Sequence, residues 1–267
     1  MRRTTMPELG LHANHVGVTY GDAAILPDVT ATFPAGRLTA VVGPNGCGKS
    51  TLLKVCSRLL PARTGRVLLN GEDIHRLPTR RVAQLLGMLP QSPIAPEGLL
   101  VRDLVALGRH PHHSVTRQWS SADDAAIADA LMLTHLGELA GIPVDELSGG
   151  QRQRAWIAMA LAQDTPTLLL DEPTTYLDLA TCIEVLELIV TLSRDRGKTV
   201  VVVLHDLLLT ARYADEVLVM HEGRIVAQGH PREVFTVELL RRVFGLEAAL
   251  LDDPAGDRPL IVPLGRA

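Results

Sequence analysis

The sequence is poor in cysteine, lysine and aromatic residues, and it has no long hydrophobic run. Its three cysteines, Cys47, Cys56 and Cys182, are odd in number and lack paired spacing, which excludes a disulfide framework and favours a reducing compartment. The longest apolar runs, such as 199–204, have the length of a strand, whereas a membrane span needs roughly 18 apolar residues. The opening MRRTTMPELG has no apolar stretch after its two arginines, so we expect no secretory signal of the usual form. If the protein works at a membrane, it does so through a partner.

An excess of positive charge is also missing. The 26 lysines and arginines are outnumbered by 30 acidic residues, and the pI is near 6.2. Because a protein that follows a nucleic-acid backbone needs a basic face, we expect no nucleic-acid partner. The apolar content of 46% is typical of a globular protein, and 267 residues favour one large domain, alone or with a lobe and a small extension.

Strand and helix patterns alternate along the chain. Short apolar or alternating runs predict strands at 15–20, 38–43, 66–70, 167–171, 199–204 and 216–220. Helical patterns lie between them, at 49–60, 122–133, 151–162, 180–196 and 207–213. This alternation indicates an α/β fold with a sheet that is largely parallel at its centre. Residues 221–229 predict a turn and a hairpin strand, and residues 252–266 a turn leading into a last strand.

The stretch from about residue 92 to 160 differs, because it holds helical patterns and few strand signals. We interpret it as a helical lobe inserted into the α/β core.

A phosphate-binding loop is predicted at GPNGCGKS, residues 43–50, because it follows a β-rich run and opens a helix. Its glycines allow backbone N–H groups to surround a phosphate, Lys49 supplies a charge to the β- and γ-phosphates, and Ser50 offers a hydroxyl to magnesium. The alternative is a glycine-rich turn before a helix. That alternative explains little, because one of only three lysines stands at the required position.

Polar residues follow two of the predicted strands. TLLLDE ends in Asp171 and Glu172, and two adjacent acids at the end of a buried strand indicate a cation or a proton transfer. Asp171 is the candidate magnesium ligand, and Glu172 is placed to orient and deprotonate a water. His205 ends VVVLH; a lone histidine there is more often a core or cap residue, but its place after a second buried strand and the phosphate chemistry of the chain favour a γ-phosphate contact. Gln91, before a serine and a proline, is ambiguous by itself.

A second anion site is predicted in ELSGGQRQRAW, at the start of a helical pattern. Ser148, Gly149 and Gly150 precede it, so the helix N-terminus would offer unpaired N–H groups with no side chains in the way. A helix cap alone accounts for the serine but not for both glycines. If these residues lie in a separate lobe, they cannot readily serve the nucleotide on Lys49. They could serve a nucleotide that is held by another copy of the chain.

GPNGCGKST, LSGGQ and LLLDEP in this order resemble the ATPase subunit of an ABC transporter. The resemblance implies a P-loop NTPase core of the ABC ATPase type, with an inserted helical lobe and an N-terminal antiparallel β part. It also implies that two copies hold two ATP molecules head to tail. The LSGGQ segment of each copy, Leu147 to Gln151, is the signature loop and closes the site of its partner.

The resemblance assigns site residues by motif. Tyr20 matches the aromatic residue that stacks on adenine; taken alone, it is as well explained as a tyrosine at a strand end. Glu172 and His205 match the catalytic glutamate and the switch histidine, and Gln91 the glutamine that senses magnesium and the attacking water. The magnesium residues are Ser50, Gln91 and Asp171. The ATP loop comprises Gly43, Pro44, Asn45, Gly46, Cys47, Gly48, Lys49, Ser50 and Thr51. The residues for the partner's ATP are Leu147, Ser148, Gly149, Gly150, Gln151 and Asp178.

Longer stretches, including LVALGRHPHHS and PLIVPLGR, resemble the ATPases of iron(III)-siderophore importers over nearly the whole chain, with haem and cobalamin importers as relatives. This implies import powered by ATP, two permease subunits, an extracytoplasmic siderophore-binding protein, and a place on the cytoplasmic face of the membrane. The expected domains are an ABC ATPase domain at 10–245, including the lobe at about 92–160, and a short C-terminal extension at 246–267 packed on the core.

Three other classes fit the sequence less well. A soluble ABC protein of translation or DNA repair usually has two cassettes or a long coiled-coil insertion, and a GTPase or small-molecule kinase needs no LSGGQ. A nucleotide-sensing scaffold would tolerate loss of Glu172 or His205. The histidines of RHPHHS lack the spacing of ligands on a helix, so we favour a place on the lobe near the permease over a metal site.

Overall fold

The computed structural model describes residues 10–21, 23–113, 119–175, 177–254 and 256–267. Residues 1–9, which carry the expectation about a secretory signal, lie outside the described residues. The strands are β1 (Gly10–Tyr20), β2 (Ala23–Pro34), β3 (Leu38–Val42), β4 (Thr64–Leu69), β5 (Glu72–Asp73), β6 (Leu86–Leu89), β7 (Thr167–Asp171), β8 (Thr199–Val203), β9 (Glu216–His221), β10 (Arg224–Gly229), β11 (Leu246–Asp252) and β12 (Pro259–Arg266). The α-helices are α1 (Lys49–Cys56), α2 (Thr79–Leu85), α3 (Val101–Leu107), α4 (Ser121–Leu133), α5 (Gly149–Ala162), α6 (Leu179–Arg194), α7 (Leu207–Tyr213), α8 (Pro231–Val234) and α9 (Val237–Phe244).

A six-stranded sheet in the order β10-β9-β3-β8-β7-β6 forms the centre of the fold. Its strands pair in parallel except for β10, which pairs antiparallel with β9. A second, antiparallel sheet has the order β2-β1-β4-β5, and β11 pairs with β12 as a separate hairpin. The predicted α/β class, the parallel centre and the N-terminal antiparallel part are therefore confirmed.

The central sheet is buried on both faces, which explains why its strands are continuous apolar runs. Successive side chains of β7 point to opposite sides. Leu168 and Leu170 belong to the apolar cluster that includes the lobe helices, whereas Leu169 packs with the antiparallel sheet and α1. The carboxyl ends of β3, β7 and β8 meet at one edge, where the sequence carries its polar motifs.

Several element boundaries differ from the prediction. The strand expected at 15–20 begins at Gly10, because His15 has a φ of 51° and the pairing with β2 shifts register nearby, which interrupts the alternation. The helix expected at 49–60 ends at Cys56, since Arg58 has a φ of 63°. The strands β2, β5, β6 and β11 and the helices α2, α3, α8 and α9 were not predicted.

Between β6 and β7 the chain forms the helices α3, α4 and α5. A buried ion pair joins α4 to the end of α3: Arg109 Nε lies 2.9 Å from Asp123 Oδ1 and its guanidinium also donates to the Ala162 carbonyl oxygen. Burial alone would raise the pKa of Asp123, but hydrogen bonds from Ser120, Arg109 and His113 outweigh it and hold that pKa well below its usual value.

The C-terminal hairpin packs on the core through Ala248 and Ile261, which are buried in the same apolar cluster as the central sheet.

The three cysteines are buried free thiols, and burial raises the pKa of Cys56 to about 12. Across the described ranges, no helix is both long and apolar enough to cross a membrane.

Candidate functional site

The loop at 43–50 connects β3 to α1, at the carboxyl end of the central strand. Gly43, Gly46 and Gly48 have φ values of 155°, 77° and 101°, and a Cβ at Gly43 would lie 2.1 Å from the Met220 carbonyl oxygen. Only glycine fits that position without displacing β9. Lys49 bends back over the loop, where its Nζ donates to the carbonyl oxygens of Gly43 (2.8 Å) and Pro44 (3.0 Å).

A cleft of about 290 Å³ opens above this loop. Tyr20 ends β1 and lies at this cleft with half of its surface exposed, so a nucleotide base could stack on its ring. Ile25, which sequence analysis missed because β2 was not predicted, also lines the cleft. The remaining lining residues are Asn45, Gly46, Gly48, Lys49, Ser50, Thr51 and Glu172. Among the predicted loop residues, Pro44 is partly buried and Cys47 is buried. Cys47 can therefore offer its backbone, but not its side chain, to a ligand in the cleft.

Ser50 and Asp171 meet at the base of the cleft. The Ser50 hydroxyl donates to Asp171 Oδ1 at 3.0 Å, and Asp171 is 2% exposed at the end of β7. Burial is the main cause that raises the pKa of Asp171; the neighbouring Glu172 adds to it, while Ser50, Lys54 and Lys49 oppose it. A hydroxyl and a carboxylate are hard oxygen donors, the ligand type that magnesium prefers. The pair therefore fits magnesium.

Glu172 brings together residues from three strand ends. His205 Nε2 lies 2.5 Å from Glu172 Oε1, and Gln91 Nε2 donates to Oε2 at 2.5 Å. Thr175, which sequence analysis missed, donates its hydroxyl to Oε2 at 3.1 Å. The three predicted catalytic residues thus lie in direct contact, beside the phosphate loop. Only the spacing of Thr175 after Glu172 in DEPTT could have indicated its place.

The signature residues lie elsewhere. Ser148 caps α5: its Oγ accepts from Gln151 N (3.3 Å), and Gln151 Oε1 accepts from Ser148 N (3.0 Å). Ser148 and Gly149 are exposed, whereas the Leu147 side chain is buried in the lobe. No signature residue is among the described residues that line the cleft. The structure therefore keeps the two predicted anion sites apart within one chain.

Asp178 begins α6 as its N-cap, beside the signature helix. Its carboxylate accepts from Thr181 N (3.1 Å) and Thr181 Oγ1 (2.7 Å), and these hydrogen bonds hold the pKa of Asp178 below its usual value. The methyl group of the same Thr181 faces Gly150, where an added Cβ would lie 2.6 Å from Cγ2.

Two of the three histidines of RHPHHS contact the protein, whereas His110 is exposed. His112 Nε2 lies 2.8 Å from the Gln163 carbonyl oxygen, and His113 Nε2 lies 3.3 Å from Asp123 Oδ2. In the part of the chain that the structure describes, no group of three or more histidine, cysteine and acidic residues could hold a metal ion.

A family model described as "ABC transporter" matches residues 26–175. The chain belongs to the ABC transporter family. The achromobactin transport ATP-binding protein CbrD of Dickeya dadantii is 51% identical over 92% of each chain. The ferric enterobactin transport ATP-binding protein FepC of Escherichia coli is 46% identical over 96% of this chain and 94% of that protein.

Solved structures agree with this assignment. A chain of an ABC transporter in an inward-facing conformation superposes with a TM-score of 0.83 at 29% identity, covering 97% of this chain and 98% of that one. The dimeric cassette MJ0796 superposes with a TM-score of 0.73 at 27% identity, covering 82% and 98%. The predicted family, the ABC ATPase fold and the binding of ATP are confirmed. This chain is a transport ATPase of the ABC family.

Proposed function

We propose that this chain hydrolyses ATP to drive the import of an iron(III)-siderophore through a membrane permease. The observation that carries this proposal is the similarity over more than nine tenths of the chain to the achromobactin and ferric enterobactin proteins. The meeting of Gln91, Glu172 and His205 beside the phosphate loop supports hydrolysis rather than binding alone.

The residues in and beside the cleft have distinct parts in the proposed reaction. The loop N–H groups and Lys49 hold the β- and γ-phosphates, and Tyr20 stacks on adenine. Ser50, Asp171 and Gln91 would hold magnesium, which neutralises charge that develops on the phosphates. His205 contacts the γ-phosphate, and Glu172 orients the attacking water.

In the reaction, the water oxygen forms a bond to the γ-phosphorus while the bond from that phosphorus to the β–γ bridging oxygen breaks. The water proton passes to Glu172 Oε1. ADP and phosphate leave, and Glu172 releases the proton to solvent. Gln91 orients the water from the opposite side of the carboxylate.

We infer that two copies act together. In one chain Ser148, Gly149, Gly150 and Gln151 lie outside the cleft, yet they form an exposed helix N-terminus that suits a phosphate. In a head-to-tail dimer they would bind the γ-phosphate of the partner's ATP, with the backbone of Leu147 and the cap Asp178 alongside. ATP would then hold the dimer closed and hydrolysis would release it.

The dimer would lie on the cytoplasmic face of the membrane beneath two permease subunits, fed by an extracytoplasmic siderophore-binding protein, with no nucleic-acid partner. We divide the chain into the ATPase domain at 10–245, with the lobe at about 92–160, and the extension at 246–267. We place the permease contact on the lobe that follows Gln91.

Cobalamin or haem is the second candidate cargo. Two cobalamin import ATP-binding proteins of Halobacterium salinarum are 39% identical, but the chain covers only 63% of their length. The siderophore proteins are more similar and match in length, which favours siderophore. A soluble ABC ATPase without a permease is the alternative from another class.

The test is uptake of radiolabelled iron(III)-siderophore by cells that lack this protein, complemented with the parental chain or with Glu172→Gln at matched expression. We expect only the parental chain to restore uptake, because the variant binds ATP but has no base to activate water. Unchanged uptake of every siderophore tried would contradict the cargo and direct the assay to haem and cobalamin. Parental ATP turnover by purified Glu172→Gln would contradict the role of Glu172.

A further inference from the structure

The carboxylate of Glu172 is contacted by three side chains that differ in origin: Gln91 and Thr175 donate hydrogen bonds to it, and His205 lies against Oε1. His205 follows β8 and Gln91 follows β6, so each belongs to a different strand end from Glu172. Thr175 belongs to the same turn as Glu172: its backbone N–H donates to the Glu172 carbonyl oxygen at 3.3 Å, and its hydroxyl donates to Oε2. Thr175 therefore moves with Glu172, whereas the other two side chains need not.

This difference matters during the proposed reaction. Gln91 and His205 are needed at the water and at the γ-phosphate, so their side chains must turn from Glu172 toward the nucleotide. The Thr175 hydroxyl has no such task and stays within reach of Oε2. It is then the donor that holds the carboxylate while the water is activated.

The turn that carries Thr175 is anchored to the next helix. The Cys182 thiol, on the first turn of α6, lies 3.5 Å from the Thr174 carbonyl oxygen and 3.6 Å from that of Leu177. These contacts flank Thr175 on both sides, so its backbone is held against α6. A donor on a fixed backbone can hold the orientation of the group that it binds.

We propose that Thr175 is a positioning residue for Glu172, which holds Oε2 and leaves Oε1 free to accept the proton of the attacking water. The inference rests on the proposed function, because it takes Glu172 as the base. Thr175 acts through Glu172 and does not itself touch the nucleotide.

The experiment is steady-state ATP hydrolysis by the full-length chain, comparing Thr175→Val, which removes the hydroxyl at nearly constant volume, with Thr175→Ser, which keeps it. We expect Thr175→Val to lower kcat by about tenfold or more, with KM for ATP within about twofold of parental, because a misoriented base slows chemistry without weakening phosphate contacts. Thr175→Ser should recover most of kcat. Thr191→Val, the same change toward the far end of α6, is the matched control.

A double-variant cycle separates this role from a structural one. In the Glu172→Gln background, adding Thr175→Val should leave the residual turnover unchanged, because there is no base to position. A further tenfold loss there, or equal losses in the serine and valine variants, would overturn the inference. So would parental kcat in Thr175→Val. In that case Glu172→Gln shows which idea fails: if it still lowers turnover to a small residual rate, the proposed function stands without this positioning role.

Discussion

Glu172 has a φ of 53°, a left-handed conformation that residues with a β-carbon seldom adopt. The conformation directs its carboxylate to the edge of the sheet where β6 and β8 also end, so that Gln91 and His205 reach it. Strain at one residue thereby assembles side chains that are far apart in sequence. The buried Arg109–Asp123 ion pair in the lobe is a second feature at this scale, and the effect of breaking it on the free energy of unfolding can be measured.

Arg109→Met should lower the free energy of unfolding by about 3–5 kcal/mol, because Asp123 would keep its charge in the interior without its partner. Urea unfolding of the full-length chain measures this. Arg102→Met is the matched control: Arg102 and Asp103 form an ion pair in which both side chains are more than half exposed, so its loss should cost about 0–1 kcal/mol. Equal losses in the two variants would contradict the stabilising role of the buried pair.

The same pair predicts a pH dependence. The pKa of Asp123 is lowered in the folded chain, so its charged form stabilises the fold above the unfolded pKa of about 3.9, and that stabilisation is lost as the pH falls below this value. The stability difference between the parental chain and Arg109→Met should therefore narrow below about pH 4. A difference that is constant from pH 7 to pH 3.5 would argue against a charged Asp123.

At the scale of elements, α5 and α6 begin side by side, and Gly150 is the point of closest approach to Thr181, while Arg154 and Glu184 pair farther along. A Cβ at Gly150 would lie 2.6 Å from Thr181 Cγ2, whereas a Cβ at Gly149 would meet open space. The glycines at positions 150 and 149 of the signature therefore have different structural roles. One permits helix packing, and the other keeps the helix N-terminus open.

Gly150→Ala should lower the free energy of unfolding by about 1–3 kcal/mol, because the added methyl group overpacks the contact with α6. Thr181→Ser in the same chain removes Cγ2, keeps the hydroxyl on Asp178, and should restore most of the loss. Gly149→Ala should be neutral or slightly stabilising, since alanine favours a helix. Thermal unfolding without nucleotide distinguishes these results; a loss in Gly149→Ala as large as in Gly150→Ala would show that contact with α6 is not the cause.

Sequence patterns predicted most closely the strands whose two faces are both buried. The strands β3, β7, β8 and β9 are buried on both faces and are continuous apolar runs, and Lys49, Asp171 and Glu172 follow from motifs at their ends. The strand β2 contains Pro27 and Asp28 and pairs with shifts of register, so its alternation is broken. Ile25 was missed with it. The contact of Gly150 with Thr181 depends on tertiary packing, which no local pattern encodes.

At the scale of the whole molecule, the separation of the signature from the cleft makes hydrolysis a property of the proposed dimer. Ser148→Arg should leave ATP binding to the Lys49 cleft within about twofold and abolish turnover, because the added side chain would block the partner's phosphate. Equilibrium ATP binding and a phosphate-release assay on the same sample test both parts. Loss of ATP binding in this variant would mean that the signature serves its own chain.

Formation of the dimer should be detectable by sedimentation as a doubling of the molecular mass in solution. Glu172→Gln with ATP should sediment as a dimer, since closure occurs and hydrolysis does not follow, and adding Ser148→Arg should return it to a monomer. Glu172→Gln without ATP is the control. A dimer that persists without nucleotide would indicate that surfaces other than the ATP site hold the two copies together.

The capping box at Ser148 and Gln151 has a consequence for how tightly two copies would bind in the proposed dimer. In the single chain the first turn of α5 already has an internal acceptor, because Ser148 Oγ receives the Gln151 N–H. A phosphate that arrives from another copy competes with that acceptor, so association exchanges one hydrogen bond for another and gains less than a wholly unsatisfied helix end would. Once phosphate is released, the chain resumes its own bond at no cost. In the proposed dimer the cap would make the contact reversible, as an ATPase that opens in every catalytic cycle requires.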